Sequence, residues 1–127
     1  MLFRSGVREA AKAALLASAP AWTPRLIREL HMHPLPGRRV SAAKNLGLLA
    51  RHAEAPEAVE ALAYEAAMDV SQDVQLASVE ALSTAKSPKA LASLVWMRDQ
   101  APPPGLRSAL ELAAARAADL QDRKSVV

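Results

Sequence analysis

Apolar and small residues recur along this chain with the period of a helix, and the helical pattern itself recurs about every 33 residues. Copies that start at Val7, Val40, Val74 and Leu106 lie 33, 34 and 32 residues apart. Three positions on, each copy has alanine, at Ala10, Ala43, Ala77 and Ala109. Seven positions on stands a small residue, at Ala14, Gly47, Ala81 and Ala113, followed directly by Leu15, Leu48, Leu82 and Ala114. Offsets of 0, 3, 7 and 8 share one face of a helix. Small side chains on that face let a neighbouring helix come close. These segments are the A helices of a repeat.

A second set hangs on Pro24, Pro56 and Pro88, spaced 32 residues apart. Thr23 and Ser87 read as N-caps, with proline at the first helical position where its missing N–H costs nothing. Ile27, Val59 and Leu91 follow each proline at three residues, and Leu30, Leu62 and Leu94 at six. These are the B helices. Breakers separate the repeats: Pro34, Pro36 and Gly37, then Pro102, Pro103, Pro104 and Gly105, while Asp73 is placed to cap the third A helix. The pattern predicts helices over 6–18, 23–32, 38–53, 56–69, 73–85, 88–99 and 105–120, and no segment alternates like a strand. A helix with one apolar stripe must bury it against another, so A pairs with B and each pair stacks on the next. The fold class expected is all-α, an alpha-alpha superhelix (a HEAT/armadillo-like solenoid) of about 3.5 stacked hairpins.

The runs GVREAAKAALL, RRVSAAKNLGLL and DVQLASVEALSTAKSPKALASLVWMRD resemble bacterial HEAT repeats, especially the short kind named after phycobilisome lyases. The family pattern is an acidic or proline turn, Val-Arg, Ala and Ala-Leu, a short turn and a Pro-led second helix. Val7-Arg8 and Leu106-Arg107 match the Val-Arg pair, whereas Val40-Ser41 and Val74-Gln75 depart from it. The resemblance spans roughly residues 6–120. It implies the solenoid and leaves activity open, because one fold hosts many roles. A chromophore lyase or its accessory follows from the family name alone, with no residue evidence beyond the repeat.

Composition fits one domain: 127 residues, 51% hydrophobic but only 3% aromatic, so the core must be built from Ala, Leu and Val. The two ends read differently. Met1 to Ser5, MLFRS, is what GTG CTC TTC CGA TCT encodes from a GTG start, and Asp122 to Val127, DRKSVV, is GAT CGG AAG AGC GTC GTG. Both strings match, in frame, opposite ends of a common short-read sequencing adapter. The expectation is therefore adapter-derived residues at 1–5 and 122–127 around a natural repeat domain over 6–121, itself a fragment of a longer protein. Without those ends the net charge of +3 becomes +1, from 13 basic and 12 acidic residues, which weakens any hint of nucleic acid or anionic membrane. Arg4 and Arg8 before AALLASAPA imitate a targeting signal, but the apolar stretch is too short and Lys12 lies close to it. No apolar run approaches the ~18 residues of a membrane span. Zero cysteines exclude disulfides and thiolate metal sites. Cytoplasm is the default location.

Chemistry-bearing constellations are sparse. His31 and His33 flank Met32 near a Pro-rich turn, and read as a solvated loop pair because no carboxylate or cysteine stands beside them in sequence. His52, at a helix end, suits the C-terminal dipole. Phosphate loops, nucleophile elbows and catalytic carboxylate sets are missing from the sequence. The reading is a non-enzymatic protein without cofactor or metal.

The B helices, which usually line the concave face of HEAT arrays, carry the candidate partner-binding residues Arg25, Arg28, Glu57, Glu60, Tyr64, Lys89 and Arg98, with Glu65 beside them. Charge alternates between repeats, which suits a protein partner of mixed charge better than a phosphate track. Trp22, Tyr64 and Trp96 are the large anchors available, with Trp96 read as core or inter-repeat packing. The alternative is a nucleic-acid-binding module using Arg25, Arg28, Arg38, Arg39 and Lys44, with Arg51 nearby; aromatic groups are not interleaved with them.

Overall fold

The computed structural model describes the backbone of residues 2–17 and 19–125 and the side chains of residues 7–11, 13, 14, 17 and 21–123. Leu15, the first copy's leucine position, falls outside the described side chains, as do Lys12 and most of the two adapter-like ends. Seven helices follow in order: α1 (Leu2–Ala17), α2 (Ala19–Met32), α3 (Pro36–His52), α4 (Pro56–Met68), α5 (Gln72–Ser83), α6 (Pro88–Arg98) and α7 (Pro104–Ser125). Among the described residues there is no strand.

Prolines set most of the starts. Pro36, Pro56 and Pro88 each stand in the first turn of their helix, where no backbone donor is needed. Ser87 caps α6 as expected, its side chain accepting from Lys89 N–H at 3.2 Å. Two caps differ. Thr23 is buried inside α2, which begins at Ala19, so Pro24 lies within the helix and forfeits one backbone bond there. Asp73 sits in the first turn of α5, and Ser71 holds the N-cap position without a side-chain bond. The acidic side chain still complements the helix dipole from within that turn.

The helices stack in two rows. α3 packs on α5 and α5 on α7; on the other side α2 packs on α4 and α4 on α6, and each helix also packs on its sequence neighbour. The seam predicted from the repeat is buried in three copies. Ala43, Val74, Leu82, Ala113 and Ala114 are inside, with Leu30, Leu62, Leu94 and Leu110 facing them from the B helices and α7. Gly47 explains how close the rows run: a Cβ at this position would meet the Ala81 Cβ at 2.7 Å and the Ala81 Cα at 3.1 Å. Both residues hold offset seven of their repeats. The hairpins are also tied by backbone, since Lys86 N–H donates to Ala50 O at 2.8 Å, from the α5–α6 turn to the end of α3.

The first copy departs from the pattern. Val7, Ala10 and Ala14 are exposed, and α1 packs only slightly, against α2. No described helix is long and apolar enough to cross a membrane.

Candidate partner-binding surface

Helical periodicity puts the predicted contact residues outside. Arg25, Arg28, Glu57, Glu60, Tyr64, Lys89 and Arg98 are all exposed. They do not converge on one site. Arg25 and Arg28, three apart on α2, share a depression with Arg38 from the start of α3. Lys89 lies with Glu54, Pro56 and Lys86 where α4 and α6 begin, and Arg98 pairs with its neighbour Asp99 at 3.3 Å.

Tyr64 has a neighbour in Trp96, which the sequence suggested for the core or for inter-repeat packing. Trp96 is 60% exposed and Tyr64 58%. The two border one slot of about 400 Å³ between α4 and α6, floored by Ala63, Ala67, Ala92 and Ser93. Position 96 falls two residues past Leu94, off the buried stripe of α6, and the helical offset from Leu94 and Met97 was the signal that could have exposed it. Met68 at the end of α4 and Met32 at the end of α2 are also exposed.

Beside this slot lies a polar joint that sequence reasoning missed. Arg39 is only 8% exposed and donates to Asp69 through Nε at 3.0 Å and Nη2 at 3.1 Å, while its Nη1 donates to His33 O at 2.7 Å. This fork uses most of the guanidinium, so Arg39 is withdrawn from the nucleic-acid set. Asp69 also accepts from Ser71 N–H at 2.8 Å. Glu65 is buried as well, correcting its place among the surface charges, and is hydrogen-bonded to His31 Nδ1. His31 packs edge-on to Tyr64, ring centroids 5.4 Å apart at 89°, and His33 Nδ1 accepts from Leu35 N–H at 3.1 Å. The two histidines are therefore structural contacts, not a free loop pair.

The carboxyls of this joint titrate apart. Burial, together with a hydrogen bond to Asp69, pushes the Glu65 carboxyl above its ordinary value, against the pull of His31. Burial also disfavours the Asp69 carboxylate, but hydrogen bonds from Glu65, Arg39 and Ser71 N–H outweigh it and hold Asp69 below the usual range. Arg39 and Asp69, 30 residues apart, close the open end of the α3–α4 hairpin, whereas His31 and Glu65, 34 apart, join α2 to α4 of the next hairpin at about one repeat length. The arrangement braces α2, α3 and α4. Among the described residues no group of three metal-binding side chains forms.

Comparison with protein-family models, with curated proteins and with solved structures finds no match.

Proposed function

We propose that this chain is a non-catalytic HEAT/armadillo-like scaffold whose α2–α4–α6 face binds a protein partner. The order of helix contacts supports the solenoid, because contacts run along α3–α5–α7 and along α2–α4–α6 and otherwise mainly join helices adjacent in sequence. The observation that carries the binding reading is the Tyr64–Trp96 slot. Two large amphipathic rings stand in solvent over an alanine floor, which is how interface anchors are built. Mechanism here is presentation. Packing of α4 on α6 over buried seams sets the spacing of the rings, so a partner meets a surface that needs little ordering on binding.

The nucleic-acid reading loses Arg39 to its ion pair and keeps Arg25, Arg28, Arg38 and Lys44, which does not amount to a continuous stripe. A short-peptide display library selected against the full chain tests the proposal. Selected peptides should carry an apolar or aromatic anchor and lose about tenfold or more in affinity to Tyr64→Ala and Trp96→Ala variants. Ligands indifferent to both substitutions would overturn it.

A further inference from the structure

Arginines fall into two groups in this molecule. Arg39, Arg98, Arg116 and Arg123 each pair with a carboxylate within 4.0 Å. Arg25, Arg28 and Arg38 do not, yet they converge from α2 and α3 on one open depression of about 440 Å³. Glu29, Met32, His33 and Pro34 complete its lining, so three guanidinia face one carboxylate. A second depression of about 360 Å³ adjoins it and shares Arg25, Glu29 and Arg38, with Trp22, Leu26, Ala42, Ser41 and Asn45 as its own walls. Arg38 stands in the first turn of α3, which begins at Pro36, so the positive end of a 17-residue helix lies close by.

We propose that this cluster binds the phosphoryl group of a phosphorylated side chain in a peptide. Guanidinia bind phosphate oxygens through paired N–H donors, and three converging forks that outnumber the single Glu29 carboxylate suit a dianion. Arg25 lies over the Trp22 ring at 5.4 Å to its centroid. Stacking restrains the guanidinium plane and leaves its edge free to donate. The adjoining depression, with its apolar wall and with Ser41 and Asn45 for backbone contacts, gives flanking peptide residues somewhere to lie, which a free anion would not use. A nucleic acid fits less well. Arg25 covers the Trp22 face that a base would stack on, Arg39 is consumed by Asp69, and the next B helix presents Glu57 and Glu60 instead of more cations.

The inference extends the protein-binding reading by naming a second contact point, and its test is separate from the Tyr64–Trp96 slot. Calorimetric titration of the full chain uses four probes: a short phosphoserine peptide, its unphosphorylated parent, inorganic phosphate and a DNA duplex. The phosphopeptide should bind saturably, and about tenfold or more tighter than either the parent or inorganic phosphate. Arg28→Gln and Arg38→Gln should each weaken it by a similar factor with thermal melting unchanged, while Lys86→Gln, on the far α5–α6 turn, leaves it unaltered. Absent saturable binding, equal affinity for the parent peptide or for inorganic phosphate, or a preference for the duplex would each overturn the proposal. Loss of phosphopeptide binding in Tyr64→Ala or Trp96→Ala with full binding in the arginine variants would do the same, and would leave the slot as the contact.

Discussion

The first A helix and the third carry the same sequence pattern and meet opposite fates. In α5, Val74 and Leu82 are completely buried and Ala81 nearly so; in α1, Val7, Ala10 and Ala14 face solvent. The difference is in what lies alongside. α5 is flanked by α3 and α7 in its own row and by α4 and α6 across, whereas among the described residues α1 has a slight contact with α2. A stripe at the right spacing is a capacity for burial, and neighbours decide whether it is used.

The largest effect should follow from Leu82→Asp. An unpaired carboxylate at a site with no solvent costs several kcal/mol, comparable with the whole stability of a domain this size, so circular dichroism should show a chain unfolded at room temperature. A cooperative melt near that of the parent would mean the inner seam is not where the stability lies. Next comes Asp69→Ala, which strands the Arg39 guanidinium in a nearly buried place and should lower stability by about 3–5 kcal/mol in urea titration. Replacing Arg39 and Asp69 together with apolar residues should recover most of that loss, since the stranded charge is then gone.

Gly47→Ala sharpens the comparison within the inner row. Overpacking against Ala81 costs about 1–3 kcal/mol. That exceeds the gain of about 1 kcal/mol from better helix propensity. Ala81→Gly in the same chain should relieve the clash, a coupling that a double-mutant cycle reads directly. If Gly47→Ala stabilises the protein outright, α3 and α5 are further apart than described.

The polar joint of Arg39, Asp69, Glu65 and His31 gives a pH signature with two signs. Folding raises the Glu65 pKa, so its contribution is complete below the ordinary 4.5 and is lost as pH rises through the folded value. Folding lowers that of Asp69, so its contribution is present above the ordinary 3.8 and is lost as pH falls through the folded value. Glu65→Gln should remove the decline on the alkaline side of 4.5 and keep the acid loss due to Asp69. Urea midpoints across that range would show the same slope in both proteins if Glu65 were not the group responsible. The smallest effect belongs to α1: Val7→Asp should change stability by no more than about 0.5 kcal/mol, because its side chain is already in water.

Most of the helical layout was legible in the sequence because prolines punctuate it. Pro56 and Pro88 begin their helices where the spacing placed them, and Pro36 and Pro104 begin theirs one or two residues early. The start of α2 was misplaced because Thr23-Pro24 has the chemistry of a cap, and only the surrounding helix shows that it lies inside. Exposure of Arg25, Arg28, Glu57 and Glu60 followed from periodicity alone. The joint was not legible. Pairing Arg39 with Asp69 requires knowing how the ends of α3 and α4 meet, and pairing His31 with Glu65 how one hairpin sits on the next; charge alternation along single helices carries neither register. Trp96 was misread for a simpler reason: a large ring suggests the core, but its angular position on α6 puts it outside.

Native-state hydrogen exchange resolved by helix tests the stacked inner row most directly. The amides of α5 and α3 should exchange only through near-global unfolding, and those of α1 by local opening at far lower free energy. Protection in α1 equal to that in α5 would contradict the account, because the same repeat pattern would then be buried throughout and α1 would not stand apart.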